Sequence, residues 1–406
     1  MNKFMLLAVA AGLSVIPWCG HAGWSGKSSG AIAGAAVGAQ TQVIVTAATA
    51  FLSSLSADER QKVQFAFTPQ KAATAARFTR AKGPGGAGGG AKSMGGPGTP
   101  PGGEQGPGKG PGMGAGVGFV GEQYGQAVWS NYPVSDVPRP GLHLGNLNSA
   151  QRDALMHLLQ VALSPKGYQK VLDIMGSDQA LHQSGTPFCS GVDCYTLGLF
   201  GTPSISKPWM LEFGGHHLGL NLTMAGEHGV MTPTLTGAQP AVYISDGKTV
   251  RALAEENDRA FVLLNALNDA QRKQAMLNYS IGDLVLGPGH DGENIQPEGL
   301  KASSMNAKQR AMLLDLISEW AGMVNDAYAK PRMAEIQAGL DDTWFAWSGP
   351  TAHEPGRNGS AYYRIQGPKL VIELSPQGVG GDPTMHVHTM YRDPTDDYGI
   401  KYTGAQ

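Results

Sequence analysis

Apolar residues recur at helical spacing behind four copies of one short formula. Leu55-Ser56-Ala57-Asp58-Glu59-Arg60, Leu147-Asn148-Ser149-Ala150-Gln151-Arg152, Leu267-Asn268-Asp269-Ala270-Gln271-Arg272 and Met305-Asn306-Ala307-Lys308-Gln309-Arg310 each put Ser or Asn at an N-cap, with Glu or Gln three residues later. In this capping box two side chains satisfy backbone N–H groups that a helix start leaves unpaired. Behind the caps, Leu155, Leu158, Leu159 and Ala162 share a helical face, as do Met312, Leu313, Leu316 and Ile317. The pattern predicts core-packing helices. Because the four copies are irregularly spaced, recurrent capping chemistry is preferred here to an internal repeat.

Strand periodicity marks two other regions. Between Trp209 and Thr236, Leu218, Leu220 and Leu222 alternate with His217, Asn221 and Thr223. From Tyr362 to Tyr391 come Tyr362-Tyr363-Arg364-Ile365, Leu370-Val371-Ile372-Glu373-Leu374 and His386-Val387-His388-Thr389-Met390. Helices between two strand-rich regions predict an α+β fold, with an antiparallel or mixed sheet and capped helices packed around it.

Two segments break these patterns. Residues 83–117 are Gly/Pro-rich with almost no apolar side chains, so they cannot offset their own conformational entropy and read as a disordered insert. At the start, Lys3 precedes the apolar run Phe4 to Pro17, which is short for a bilayer span, and Gly20-His21-Ala22 offers a cleavage site. The run reads as a secretory signal, and the mature chain is expected in the periplasm or outside the cell. A lipoprotein reading through Cys19 is disfavoured by the residues before it, Ile16-Pro17-Trp18. The expected organisation is a signal peptide (1–22), an N-terminal helical segment (23–82), the linker (83–117) and a main α+β domain (118–406).

Composition narrows the partners. Lys+Arg number 30 against 32 Asp+Glu, and charged residues make up 15%, so no basic surface for a nucleic acid is expected. No later segment is apolar enough to span a membrane. Beyond Cys19 only Cys189 and Cys194 remain, in Phe188-Cys189-Ser190-Gly191-Val192-Asp193-Cys194; in an oxidising compartment a disulfide across this loop is expected. A thiolate metal pair is the sharper alternative, but it lacks partner cysteines.

The candidate chemistry lies in two histidine clusters. In Glu212-Phe213-Gly214-Gly215-His216-His217-Leu218 two glycines precede paired imidazoles, and Glu212 stands close enough to ligate or to orient one of them. In Met385-His386-Val387-His388-Thr389-Met390 the i, i+2 spacing on a strand points both imidazoles the same way. Glu373 falls on the polar side of the preceding strand. A single buried histidine is usually a hydrogen-bonded core residue, but two tight clusters favour one shared metal ion. Three imidazoles suit zinc, copper or iron, and two imidazoles with Glu212 or Glu373 would form a mononuclear iron site. Met385, Met390, Met210 and Met224 tilt the choice slightly toward copper.

Other chemistries fit less well. Gly26-Lys27-Ser28-Ser29-Gly30 lacks the strand that a nucleophile elbow needs. Gly26-Lys27-Ser28 and Gly247-Lys248-Thr249 lack the earlier glycine of a phosphate loop, and the zinc-protease His-Glu-x-x-His pattern does not occur.

Several motifs together resemble a bacterial family known only as a domain of unknown function, number 3500 of that series. They are Trp129-Ser130-Asn131-Tyr132-Pro133, Phe200-Gly201-Thr202-Pro203, Phe213 to Asn221, Met231-Thr232-Pro233-Thr234, Gly339 to Trp347, Tyr362 to Pro368, Ile372-Glu373, and His386-Val387-His388-Thr389 leading to Arg392-Asp393-Pro394. The resemblance covers most of residues 45–400 and implies no activity. It draws attention to His216, His217, Glu373, His386 and His388, which fall within its motifs. The methionines beside His386 and His388 depart from the family pattern and weaken the copper argument.

The leading expectation is an exported metalloprotein in which His386 and His388 join His216 or His217, with Glu373 or Glu212, around one transition-metal ion. Copper or iron redox chemistry on a small molecule or peptide comes first, with Arg364 available to position substrate, and zinc hydrolysis second. The competing readings are a non-catalytic metal carrier and a metal-free binding module lined by Trp209, Trp344, Trp347, Tyr362 and Tyr363. Oligomeric state is not legible from the chain.

Overall fold

A computed structural model of the chain describes residues 29–68, 74–80, 117–120 and 127–403. The expected signal peptide lies outside the described residues, as does the Gly/Pro segment apart from Val117. Among the described residues, nine helices surround a mixed, open sheet of 12 strands. All four predicted capping boxes form, with Ser56, Asn148, Asn268 and Asn306 each accepting from the backbone N–H three residues on. Each such cap stabilises its helix by about 1 kcal/mol.

The sheet is built twice from one order of elements. In the first half, helices Ser29–Ser54 and Ala57–Val63 lead to the short strands Gln64–Phe65 and Leu142–His143, then to helices Ser149–Ala162 and Pro165–Gln183. Strands Thr196–Phe200, Trp209–Gly214, Leu218–Ala225 and Thr234–Ala238 complete it, with the small strand His228–Val230 beside the third. In the second half, helices Ala254–Ala266 and Asp269–Ala275 lead to the strand Leu300–Lys301 and then to helices Ala307–Ala321 and Asp326–Ala338. Strands Trp344–Ser348, Tyr362–Gly367, Leu370–Pro376 and Val387–Arg392 follow. Even the parallel edge repeats: Gln64–Phe65 runs parallel to the first of its four strands, and Met276 forms a parallel bridge to Trp347.

The strand register fixes the relation between the halves. One row crosses the whole sheet: Leu142, Leu197, Phe213, Leu220, Thr234, then Tyr391, Ile372, Ile365, Phe345, Leu300. Its two halves are mirror sequences of the same strand positions, so a pseudo-twofold axis passes between Thr234 and Tyr391. The antiparallel bridge between Leu163 and Val324 marks the same relation among the helices, since Ser164 N donates to Met323 O and Asn325 N donates to Ala162 O. The capping formula is thus part of an internal repeat, two copies per half, and not independent recurrence. The spacing is irregular because the first half carries the Gly/Pro segment between its two caps.

One face of the sheet carries Leu197, Phe213, Leu218, Leu220, Leu222, Ile365 and Ile372 into a continuous core with Leu155, Leu158, Leu313, Leu316 and Ile317 of the helices. The helix Ser29–Ser54 contributes Ile44, Phe51 and Leu52 to the same core. On the other face Trp129 and Leu286, from irregular segments, cover Leu235, Val371 and Met390. Trp209, Trp347, Tyr362 and Tyr363, considered above as a binding cleft, are buried packing residues, and Trp347 and Tyr363 stack on one another at 6.0 Å. No helix among the described residues is long and apolar enough to cross a membrane. Cys189 and Cys194 are disulfide-bonded, which suggests an oxidising environment.

Candidate metal centre

The first histidine cluster is a turn. Gly215 N donates to Leu218 O at 2.9 Å, which makes His216 and His217 the central residues of the hairpin joining Trp209–Gly214 to Leu218–Ala225. Both glycines are required by close approach. A Cβ on Gly214 would lie 2.7 Å from Leu218 O, and one on Gly215 would lie 2.6 Å from the Tyr195 ring. That ring carries the hydroxyl that matters next.

The second cluster lies two strands away. Between the two runs the strand Thr234–Ala238, in which Gly237 pairs with His388 on one side and donates its N–H to His217 O on the other. His217, Gly237 and His388 therefore form one row across three adjacent strands. Neighbouring strands stand about 4.8 Å apart, so two imidazoles separated by an intervening strand meet only if the middle residue leaves room. Gly237 does: a Cβ there would be 3.1 Å from His217 Cδ2 and 3.3 Å from His388 Cδ2. His386, two residues back from His388, completes the group.

The three imidazoles converge through Nε2. His217 Nε2 is 3.2 Å from His386 Nε2, which is 2.9 Å from His388 Nε2, and all three atoms lie within 4.8 Å of one another. Each Nδ1 is engaged on the outside. His217 Nδ1 donates to Asp178 Oδ1 at 2.6 Å, and His386 Nδ1 donates to Val379 O at 2.9 Å. Asn131 Nδ2–H donates to His388 Nδ1 at 2.9 Å; turning the carboxamide over would let its oxygen accept from Nδ1 and leave Nε2 free to ligate. A carboxylate and a carbonyl can only accept, so neutral His217 and His386 both carry their proton on Nδ1. Their Nε2 lone pairs then face each other, and two lone pairs at that distance repel unless a cation lies between them. Tetrahedral bonds of about 2.0–2.1 Å to one ion put nitrogens about 3.3 Å apart, close to the spacing seen here.

Asp178 organises the near side. Tyr195 Oη donates to its Oδ2 at 2.6 Å and the His217 backbone N–H donates to the same oxygen at 3.3 Å. Burial by itself raises the Asp178 carboxyl, but attraction to His217 and its hydrogen bond, with help from His216 and Tyr195, outweigh burial and hold it below the ordinary value. It is therefore an anion, and an anion behind a ligating imidazole raises that ligand's basicity and fixes its orientation.

The remaining expected residues are placed elsewhere. His216 is buried with its ring centroid 3.9 Å from that of His217 and edge-on to Phe188, and it forms a second possible group with Asp178 and His217, apart from the three converging Nε2 atoms. Glu212 accepts Val128 N–H at 2.9 Å, and burial holds its carboxyl well above the usual pKa. Glu373 accepts from the Tyr362 hydroxyl and from the N–H groups of Val285 and Leu286, the last at 2.8 Å, tying that loop to the sheet. It pairs with Met390, two residues beyond His388, which pairs with Ser375. Arg364 donates to Tyr362 Oη at 3.1 Å and to Glu298 at 2.8 Å. Met210, Met224 and Met390 are spread over three separate hydrophobic clusters.

Asp178 and Gly237 went unread in the sequence, although each left a trace. Asp178 interrupts the buried stripe Val171, Ile174, Leu181 of its helix, and Gly237 sits inside a strand, where glycine marks close approach.

Residues 117–400 match the model of a family described as a protein of unknown function, DUF3500. The chain belongs to this family. The match spans His217, His386, His388, Asp178 and Gly237, so the whole centre of this DUF3500 protein lies inside the family region. No curated protein and no solved structure gives a significant match.

Proposed function

We propose that this DUF3500 protein is an exported metalloprotein whose His217, His386 and His388 bind one transition-metal ion through Nε2. The observation that carries the reading is the facing Nε2 pair of His217 and His386, both with Nδ1 committed to acceptors. The disulfide and the apolar N-terminal run support export. Three neutral imidazoles backed by a carboxylate favour zinc, which would supply Lewis acidity toward an oxygen-bearing substrate. Around it, Asp178 holds the His217 ring, Val379 and Asn131 hold the other two, and Gly237 keeps the rings close. Copper is the second reading, because the same nitrogen set binds it more tightly in the ordinary affinity order. The two-histidine, one-carboxylate iron arrangement fits less well, since Glu212 and Glu373 direct oxygens to backbone N–H groups.

Elemental analysis of the full chain purified without a histidine tag tests the reading. One equivalent of zinc or copper is expected, lost on replacing His386 and His388 with Ala. Metal-free protein that neither takes up nor is stabilised by either ion would overturn it, and would leave a shared proton as the cation between the rings.

A further inference from the structure

The pseudo-twofold relation gives the metal centre a counterpart at the opposite end of the central strand pair. Counting from the paired residues Thr234 and Tyr391, His386 and His388 map onto Gly229 and Met231. Counting from Leu220 and Ile372, which occupy the same row, His217 maps onto Lys369. The helix caps Ser164 and Asn325 likewise carry Asp178 onto Gly339. Every ligand and its supporting carboxylate has been replaced at that end.

In their place the protein has a cavity of about 300 Å³, lined in part by Gly229 and Met231. This volume is at the lower end of sites that hold small organic ligands, about 300–1,000 Å³. We propose that this cavity is a second ligand site and that it takes a small organic cation, an amine carrying an apolar body.

Three features of the lining set that class. First, four carboxylates, Glu227, Glu335, Asp393 and Asp396, line it together with the Arg332 guanidinium and the His228 imidazole, and Lys369, outside the lining, pairs with Glu335. Arg332 is committed internally. Its Nε donates to Tyr391 Oη at 2.8 Å and its Nη1 to Glu335 at 2.7 Å and to Asp393 at 2.8 Å, so little of it is left for an anionic ligand. Lys401, also outside the lining, forms a long ion pair with Asp396 at 3.7 Å, so Glu227 is the lining carboxylate left for a ligand. Second, Tyr328, Tyr391 and Tyr402 add aromatic surface, which attracts cations, with Arg332 already over one face of Tyr391 and His228 stacked on one face of Tyr402, while Ala321 and Val324 give an apolar floor. Third, the Thr232 hydroxyl lines the cavity, is only 2% exposed, and has no hydrogen-bond partner. A buried hydroxyl is normally satisfied, and an ammonium N–H entering the cavity would satisfy this one.

Titration calorimetry on the full chain, with phenethylamine as probe and 3-phenylpropionate as the anion of similar shape, tests the proposal. The amine is expected to bind at one site, and the carboxylate about tenfold or more weaker. Glu227→Gln, which alters an exposed carboxylate, should weaken the amine several-fold, and Val230→Trp, at another residue of the lining, should block it. His386→Ala with His388→Ala should leave amine binding unchanged, so failure of the metal reading does not decide this one. An amine that does not bind at millimolar concentration overturns the proposal. So does a carboxylate that binds equally well, or amine binding insensitive to Glu227→Gln and Val230→Trp alike.

Discussion

Gly237→Ala is the most direct test of how the metal centre is assembled. The added Cβ would lie 2.9 Å from Val387 O, 3.1 Å from His217 Cδ2 and 3.3 Å from His388 Cδ2. Non-bonded carbons settle at about 3.5–4.0 Å, so both rings must retreat by several tenths of an ångström, and in opposite directions. The contact with Val387 O is to backbone and cannot relax by side-chain rotation. Ligand distances in a working site hold within about 0.2 Å, so the displacement stretches at least one metal–nitrogen bond out of range.

The expected loss of metal affinity is at least that of removing a supporting hydrogen-bond partner, about 10–100-fold. Overpacking also destabilises the metal-free fold by about 1–3 kcal/mol, and the two effects must be separated. The difference between melts with and without zinc isolates the first, because a hundredfold weaker site loses about 2.7 kcal/mol of metal-induced stabilisation at saturating metal. Competition against a chromophoric chelator gives the affinity independently. Wild-type zinc affinity in Gly237→Ala would mean that the rings do not meet over this residue, and the geometric reasoning would fail.

Three further outcomes follow from the same contacts. Asp178→Asn keeps the size but not the charge behind His217, and should weaken zinc about 10–100-fold with an unchanged circular-dichroism spectrum; equal affinity would remove Asp178 from the centre. Glu373→Gln should leave metal affinity intact but cost about 1–3 kcal/mol, because an amide offers one acceptor oxygen where the carboxylate offers two to Tyr362, Val285 and Leu286, and hydrogen exchange should quicken at the Leu286 amide. Burial raises the Glu212 carboxyl, so the folded protein keeps a proton that the unfolded chain releases. The stability tied to it is fully present below the ordinary carboxylate pKa and is lost as pH rises through the raised one. Glu212→Gln should therefore flatten the decline in urea midpoint as pH rises above the ordinary carboxylate range; an unchanged slope would place its origin elsewhere.

What the sequence carried was face and local spacing. Alternation put Asn221 and Glu373 opposite the leucine face, and the i, i+2 spacing brought out His386 and His388 as a pair. Alternation cannot say which residue stands beside which across strands. Glu373 lies on the same face as His388 but pairs with Met390, and that two-residue offset places its carboxylate over the Val285–Leu286 loop. Register depends on pairings between residues far apart in sequence, and here on a repeat that the Gly/Pro segment obscures. Gly237 and Asp178 have meaning only once those pairings exist. Glycine in a strand and aspartate in an apolar stripe are visible locally, but the reason for each is a neighbour contributed by another element.

The repeat also explains why the proposed ligands come from both halves. The strands Thr234–Ala238 and Val387–Arg392 are the innermost of their halves and pair across the pseudo-twofold axis, so each end of that pair is a seam where side chains from both halves meet. His217 belongs to the first half and His386 and His388 to the second, 169 residues apart between His217 and His386. An ion held by all three is therefore a cross-link between the halves. The chain-entropy benefit of such a link grows only logarithmically with the loop it closes, so the length of the separation adds little by itself. The larger effect is geometric. The three nitrogens keep their spacing only while both halves keep their register at Gly237, so metal affinity reports on the seam itself. A change that loosens the pairing of the two innermost strands, however far from the imidazoles, weakens the centre before it unfolds either half.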